Sequence, residues 1–366
     1  MDEANTPDMT IDTSGAVERI LATIDRERER EIVSRRFGLN DRKETLEQIG
    51  DLLGITRERV RQLEKAILIR LKLAAEDGMD DVTIVEKQII RHLHEMGGSS
   101  RLGELTGKLH DSPDDLKKAH VAFIAELAPN LTVLGENDNY HQGVAIKERY
   151  DEKKLKAHVD SVVKTIKKHG EPLGINDLHE QLDHDHPDQV RALASLSKHL
   201  ATLKDQWGLT KWPTVNPKNI RDKIYVILQE TGKPLHFSDI ADSIKDSDFK
   251  RKDVTTQAIH NELIKDKRFV LIGRGIYALN EWGFKKGTVS DIITEILRKE
   301  AGPLTRDEIV KRVLKHRQVK ETTILLNLQS KPEFKRVAKA TYTLADAVEA
   351  DAAPAAKKAA TSLEVA

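Results

Sequence analysis

Beyond about residue 80 the sequence repeats one short motif, and this repetition constrains the fold more than any other feature. Each copy has a helical pattern, a glycine and then a Pro-Leu pair, with the prolines at Pro172, Pro234 and Pro303. A degenerate copy, HEMGGSSRLGELTGKL, precedes these three and has serine in place of the proline. Self-similarity at a period of several tens of residues indicates an array of small modules. A chain of 366 residues is long enough for several of them.

The last two copies match over a longer stretch. The matched residues are Val254, Ile259, Leu263, Phe269 and Tyr277 in one copy and Val319, Ile324, Leu328, Phe334 and Tyr342 in the other. In the earlier of these copies, RFVLIGRGIYAL predicts a hairpin around a Gly-Arg-Gly turn, and FKRVAKATYTL takes its place in the last copy. The repeating unit is therefore helix, helix, helix, hairpin, an order typical of the winged-helix variant of the helix-turn-helix.

These patterns predict a mainly α protein, in which an N-terminal helix-turn-helix bundle is followed by tandem winged-helix modules with small two-stranded wings. An aromatic content of 4% and a charged content of 33% suit small helical modules. We place the second wing at WGLTKWPTVN, which contains a proline. The predicted segments are a disordered lead (1–14), a helix-turn-helix domain (15–77), a degenerate winged helix (82–148), three further winged helices (152–217, 218–286 and 287–346) and a disordered Ala-rich tail (347–366).

Composition excludes several classes of site and limits the charge argument. Lys plus Arg and Asp plus Glu both total 60, so an attraction to nucleic acid must come from a local patch. The absence of cysteine excludes disulfides, thiolate nucleophiles and cysteine-ligated metals. The acidic N-terminus lacks the order of a signal peptide, and no run approaches the roughly 20 apolar residues that span a bilayer. We expect a cytoplasmic protein without a membrane partner.

The stretch LEQIGDLLGITRERVRQLEKAILIRLK predicts two helices joined by a short, glycine-containing turn. Thr45 is an N-cap candidate, with Gln48 three residues later as in a capping box. The first helix is expected to end at Gly54, and Thr56 is the N-cap candidate of the second. The second helix has apolar residues at helical spacing, namely Val60, Leu63, Ile67, Leu68 and Leu71.

The opposite face of this second helix has side chains that can bind DNA. It displays Arg57, Glu58, Arg61, Gln62 and Lys65. Arginine can bond a guanine edge, glutamine an adenine edge and glutamate a cytosine amine. Six Lys or Arg and two Glu between residues 52 and 75 also suit a phosphate-lined groove. The alternative is an ordinary charged helix face in solvent.

The string RRFGLNDRKETLEQIGDLLGITRERVRQLEKAILIRL resembles region 4 of the sigma-70 family, the domain that reads the −35 promoter element. The resemblance covers about residues 16–73. It implies base contacts by Arg57, Glu58 and Gln62, and backbone-contacting or positioning roles for Arg36, Thr45, Arg59 and Arg61. Thr56 and Lys65 complete the predicted DNA-binding set. The sequence departs from the family where Ala66 replaces a common lysine, since Lys65 lies one position earlier and is rotated by about 100°.

The resemblance also implies partners, namely double-stranded DNA with a −35-like element and RNA polymerase, whose β-subunit flap binds region 4. No segment here resembles the sigma region that melts the −10 element, so we do not expect a complete sigma factor. The third repeat, GKPLHFSDIADSI with RFVLIGRGIYALNEWGF, resembles the HARE-type winged helix of the RNA polymerase delta subunit.

Side chains of the third repeat have two possible roles. We expect the aromatic residues Phe269, Tyr277 and Trp282 to pack its wing onto its helices. Arg274 at the wing tip and the cations at 250–252 either contact phosphates or are simply solvated.

An enzymatic function is not expected. HEQLDHDHPD gathers His179, His184 and His186 but lacks the spacing of a zinc helix, and no phosphate loop or nucleophile motif is present. We predict no cofactor, metal or small-molecule substrate. The predicted function is sequence-specific DNA binding in bacterial transcription initiation or its regulation. The alternative is a protein-interaction scaffold that holds RNA polymerase or a regulator through its winged helices, with little specific DNA contact.

Overall fold

The computed structural model of the chain describes residues 11–249, 253–300 and 302–346. Two compact units are present, one up to Asn216 and one from Pro217 onward, and each is described by itself. The finer domain boundaries given above stay a prediction. The predicted tail and most of the predicted lead lie outside the described residues. Within the described residues, no helix combines the length and apolar character that a membrane span requires.

The first unit begins with four helices: α1 (Thr13–Ala22), α2 (Glu27–Phe37), α3 (Leu46–Leu53) and α4 (Arg57–Glu76). Helix α1 begins inside the stretch predicted as a lead, because Asp12 caps it by accepting a hydrogen bond from the Gly15 backbone. Helix α2 ends at Gly38, which adopts the left-handed conformation that favours glycine.

The rest of the first unit is built from two repeats of one element order, helix, strand, helix, helix, strand, strand. The first repeat comprises α5 (Asp80–Glu95), β1 (Ser99–Arg101), α6 (Leu102–Leu109), α7 (Asp115–Leu127), β2 (Leu131–Leu134) and β3 (Gly143–Ile146). The second comprises α8 (Glu152–His169), β4 (Leu173–Gly174), α9 (Ile175–Glu180), α10 (Pro187–Leu196), β5 (Leu200–Leu203) and β6 (Gln206–Leu209).

The second unit contains the third and fourth repeats, with the same element order. The third comprises α11 (Ile220–Thr231), β7 (Leu235–His236), α12 (Phe237–Asp246), α13 (Thr256–Lys265), β8 (Phe269–Gly273), β9 (Ile276–Leu279) and a 3₁₀ turn (Asn280–Trp282). The fourth comprises α14 (Val289–Glu300), β10 (Leu304–Thr305), α15 (Arg306–Leu314), α16 (Glu321–Ser330), β11 (Phe334–Ala338) and β12 (Thr341–Leu344).

The two-stranded hairpins predicted for the third and fourth repeats are present. Every repeat nevertheless has a three-stranded antiparallel sheet, because a short strand that was not predicted joins each hairpin. The first strand of each repeat pairs with the third, which also pairs with the second, as in the order β7-β9-β8. The additional strand is only two or three residues long, as in Leu235–His236. A strand of this length cannot show the period-two alternation that identifies strands in a sequence.

The predicted wing of the second repeat was also misplaced. The hairpin is formed by β5 and β6 around Lys204 and Asp205, and the proline of WGLTKWPTVN follows it. Lys204 and Asp205 both have positive φ, 49° and 58°, as a tight type I′ hairpin turn requires. The usual Asn-Gly or Asp-Gly signal is missing from this turn, which is why the sequence did not reveal it.

The predicted match between the last two repeats is confirmed in detail. Leu235 pairs with Tyr277, and Leu304 pairs with Tyr342 at the same place in the fourth repeat. Both hairpins also have a register shift directly after the residue that pairs with this tyrosine, between Leu271 and Gly273 and between Arg336 and Ala338. Phe269 and Tyr277 are buried, and Tyr277 of β9 meets His260 of α13 edge to face, as the predicted packing of the wing on the helices requires. Trp282 packs against Val270, Ile272 and Ala278, which are all residues of the hairpin strands.

Candidate nucleic-acid interface

The turn between α3 and α4 is fixed by caps on both helices. Thr45 accepts a hydrogen bond from the Gln48 backbone at 3.2 Å, and the Gln48 side chain accepts one from the Thr45 backbone at 2.9 Å. The predicted capping box is therefore confirmed. Gly54 ends α3 in the left-handed conformation, and Thr56 caps α4 by accepting from the Arg59 backbone at 3.2 Å. These bonds set where α4 begins.

Gly50 sets how closely α3 approaches the turn, a role that the sequence reading missed. A Cβ atom at this position would lie 2.6 Å from the Ile55 backbone oxygen. Only glycine therefore permits this approach. The core beneath the two helices is small, since it consists of Ile32, Ile49 and Val60 with partly buried neighbours.

The first turns of α4 present the predicted DNA-reading face to solvent. Arg57, Glu58, Arg59, Arg61, Gln62 and Lys65 are all exposed, whereas Val60 is buried. The Arg57 side chain makes no hydrogen bond or ion pair with any residue that the structure describes. Its guanidinium is consequently available to a ligand without the loss of an internal contact. Lys65 and Ala66 are both exposed, so the displaced lysine remains on the surface of α4.

Glu58, in contrast, already has partners. Two nitrogens of Arg61 donate to its carboxylate at 2.6 and 2.8 Å, and the Gln62 amide donates at 3.4 Å. The Arg61 hydrogen bonds hold the pKa of Glu58 below its ordinary value, and the same pairing raises the pKa of Arg61. Arg59 donates to the Gln62 side chain at 3.4 Å. A DNA base that hydrogen-bonds to Glu58 or Gln62 must displace these surface contacts.

Arg36 lies in a different environment from the residues of α4. Its Nε donates to Glu64 of α4 at 3.1 Å, and its Nη1 donates to the Glu44 backbone oxygen at 3.3 Å. Arg36 therefore ties α2 to both the turn before α3 and to α4. Of the two roles that the resemblance implied for this residue, these contacts fit positioning.

Two residues of the charged run DRERERE, residues 25–31, support the same region. Arg28 donates to the Leu53 backbone oxygen at 2.5 Å, which satisfies a carbonyl at the end of α3. Glu29 is buried and bonds Arg70 of α4. Nothing in the spacing of this run distinguishes these two residues from their exposed neighbours.

The later turns of α4 are packed into a core that includes the first repeat. Ile67, Leu71 and Ala75 belong to one apolar cluster with residues of α1, α5, α6 and α7. Phe37 of α2 meets Phe123 of α7 edge to face, with ring centroids 5.0 Å apart. Lys72 donates to Glu126 of α7 at 2.6 Å. The candidate DNA-binding helix is therefore fixed to the first repeat along its second half.

The other residues singled out in the sequence do not form a site in the described part of the chain. His179 contacts the His184 backbone oxygen at 2.8 Å, and His186 caps α10. No group of three or more His, Asp or Glu side chains is arranged to hold a metal ion among the described residues. Arg274 is exposed at its hairpin tip, and Lys250, Arg251 and Lys252 lie outside the described residues.

Comparisons with known proteins agree on the N-terminal segment. Residues 26–73 match the family described as "Sigma-70, region 4". The chain is 46% identical over 74 residues to RNA polymerase sigma factor RpoS of Coxiella burnetii, which is 20% of each chain. It is also 46% identical over 57 residues to RNA polymerase sigma factor SigA1 of Synechococcus elongatus (15% of this chain, 14% of the relative) and to SigA of a Bacillus species (15% of each). The matches thus span a fifth or less of these relatives.

Proposed function

Because residues 26–73 are similar to region 4 of sigma-70 factors, we propose that the protein binds DNA in bacterial transcription initiation or its regulation. The observation that carries the proposal is the exposed polar face of α4 on a helix start held by Thr45, Gly54 and Thr56. We further propose that this face reads a −35-like element in the major groove.

The roles of the individual residues follow from their free-state contacts. Arg57 is available for a bidentate contact to a guanine, and Gln62 can turn its amide to an adenine. Glu58 accepts from a cytosine amine if Arg61 moves from the carboxylate to a phosphate, an exchange between two exposed contacts. Arg59, Arg61 and Lys65 then serve the phosphate backbone, while Arg36, Thr45 and Thr56 position the helices.

We propose that the four repeats are winged-helix modules, the third of the HARE type. Their shared element order and shared sheet order support this assignment. RNA polymerase is the protein partner that fits a sigma-like DNA reader, and the cytoplasm is the compartment that fits both. We assign the protein no catalytic activity, since its proposed action is non-covalent.

The test is fluorescence anisotropy of the full-length protein on two labelled duplexes, one with a −35-like hexamer and one scrambled, across a salt series. We expect tighter binding to the −35-like duplex, and a loss of about tenfold or more in that preference in the double variant Arg57→Ala, Gln62→Ala. The control variant is Lys87→Ala, which removes one exposed cation from α5, outside the proposed interface.

Two results would contradict the proposal. Equal binding to both duplexes with a steep salt dependence would indicate phosphate attraction alone. Unchanged DNA binding in the double variant, together with retained capture of purified RNA polymerase, would favour the alternative that the protein is an interaction scaffold.

A further inference from the structure

A groove of about 310 Å³ lies in the second unit, where the third repeat meets the segment that leads into the fourth. One wall is formed by the end of α13 and by β8, including Ile264 and Leu271. Lys286, Gly287 and Arg317 line the other side. The groove belongs to neither the α4 surface nor the proposed DNA contact.

The wall formed by α13 and β8 exposes two large aliphatic side chains. Ile264 is 64% exposed and Leu271 is 46% exposed. The fold does not require aliphatic residues there, because the matched positions of the fourth repeat, 65 residues later, hold Gln329 and Arg336. An apolar pair that the fold does not need and that water surrounds is typical of a surface that binds a partner.

The rim of the groove is basic. Lys265, Lys267 and Lys286 are exposed and make no hydrogen bond or ion pair with the residues that the structure describes. The one carboxylate in the lining is Asp266, to which Arg268 donates at 2.8 Å. Burial by itself raises the pKa of Asp266, but its hydrogen bonds and charge interaction with Arg268 outweigh this and lower the pKa. In the fourth repeat Ser330 and Pro332 stand where the third has Lys265 and Lys267. The charge, like the aliphatic pair, is thus particular to the third repeat.

The two sides of the groove are tied together by the fourth repeat. The Arg317 guanidinium donates to the backbone oxygens of Leu271 and Gly287, one on each side. The Gln318 backbone donates to the Ile272 oxygen at 3.1 Å. A Cβ atom at Gly273 would lie 2.8 Å from the Gln318 oxygen, so glycine is needed for this approach. The groove is therefore formed before any partner binds, which lowers the cost of binding.

We propose that this groove binds an acidic peptide segment of a partner protein, which places an aliphatic or aromatic side chain on Ile264 and Leu271 and carboxylates beside the three lysines. A basic rim beside an apolar wall is complementary to such a segment. A DNA backbone would satisfy the lysines alone and would leave the aliphatic pair in water, so the peptide accounts for more of the surface.

The proposal can be tested on the full-length protein with a fluorescein-labelled peptide, EDELFDEDLDEE, followed by anisotropy. We expect measurable binding that weakens about tenfold in Ile264→Ala, Leu271→Ala and by a similar factor in Lys267→Glu, Lys286→Glu. Because all four side chains are exposed, the variants should fold as the wild type does, which circular dichroism will verify. The matched controls are Leu326→Ala, with an equally exposed leucine in the fourth repeat, and Lys299→Glu.

The apolar and acidic contributions are separated by two further probes. A peptide with its Leu and Phe replaced by Ser should bind about tenfold more weakly, and a labelled duplex should not compete with the acidic peptide. Equal binding of the Ser peptide would overturn the proposal, because it would indicate charge attraction alone. Loss of duplex binding in the groove variants, without any peptide binding, would overturn it in favour of a nucleic-acid site. Absence of peptide binding at about millimolar concentration would overturn it as well. Variants of Arg57 and Gln62 should leave peptide binding unchanged. The peptide proposal and the DNA-reading proposal can therefore fail independently of each other.

Discussion

The two halves of α4 have the same helical geometry but opposite surroundings. Its first turns carry exposed Arg57, Glu58 and Arg61, and the core below them is the small cluster of Ile32, Ile49 and Val60. Its later turns lie in a much larger core shared with the first repeat. At 1.5 Å per residue, a helix of 20 residues is about 30 Å long, enough to belong to both.

This difference indicates how stability and function are divided along the helix. Apolar burial concentrates in the shared core, so the later turns should open only when the first repeat also loses its packing. The first turns depend on caps and on three buried side chains, and they should open at lower free energy. The surface proposed to read DNA is thus held at one end by a rigid support and is locally adaptable at the other.

The largest expected effect is on the shared core, through Phe123→Ala. Phe123 is fully buried and packs edge to face on Phe37. Truncation should lower the free energy of unfolding by about 3–5 kcal/mol, through lost burial and the cavity left behind. Urea denaturation followed by circular dichroism will measure the change, and Phe123→Leu should cost clearly less. Hydrogen exchange that speeds up in α7 but not around Ile67 and Leu71 would mean that the core is not shared energetically.

A second comparison lies within the exposed half, between Arg57 and Arg61. Arg57→Ala should cost about 1–3 kcal/mol on the −35-like duplex and remove sequence preference, because its free guanidinium is proposed to bond a base. Arg61→Ala should weaken both duplexes alike and reduce the salt slope by about one, since its proposed contact is a phosphate. Salt-dependent anisotropy distinguishes the two. The same loss on both duplexes from Arg57→Ala would contradict the assigned roles.

A smaller effect is expected from the cap at the start of α4. Thr56→Ala removes the acceptor of the Arg59 backbone N–H and should lower the free energy of unfolding by about 1 kcal/mol. Thr56→Ser keeps the hydroxyl and should stay close to the wild type. Hydrogen exchange should rise at Arg59 and Val60 in the alanine variant while Leu71 stays protected. Equal loss of protection along the whole helix would show that its halves are not separable.

The sequence predicted those features that local rules determine. The caps at Thr45 and Thr56 and the end of α3 at Gly54 follow from short-range chemistry, and each was found as expected. The exposed face of α4 follows from the helical period alone. The matched repeats were found because five apolar positions recur at constant spacing.

Features that depend on distant contacts were missed. The short strands such as Leu235–His236 exist only because a hairpin pairs with them. The buried Glu29 differs from its exposed neighbours through its bond to Arg70, which lies 41 residues later in the chain. Glycine is needed at Gly50 because the Ile55 backbone oxygen lies close to it, a contact that the local sequence does not indicate. The shared core could not be inferred either, since periodicity identifies a buried face but not what covers it.

The smallest expected effect compares the hairpin turns of the third and fourth repeats. Ala340 adopts a positive φ of 55° at the position that matches Gly275, whose φ is 71°. The left-handed conformation is unfavourable for alanine, so Ala340→Gly should raise the free energy of unfolding of the second unit by about 0.5–1 kcal/mol.

The reverse change, Gly275→Ala, should be destabilising by more than this gain, because a Cβ atom there would also lie 2.4 Å from the His236 ring. Urea denaturation of both variants beside the wild type checks the signs. If Ala340→Gly is destabilising, the fourth turn relies on its methyl group, and the two hairpins are alike in backbone but not in energetics. If Ala340→Gly is stabilising and Gly275→Ala is destabilising, the fourth repeat tolerates a strained turn that the third repeat avoids with glycine. The tightly packed His236 then explains why the third repeat cannot hold an alanine at this position.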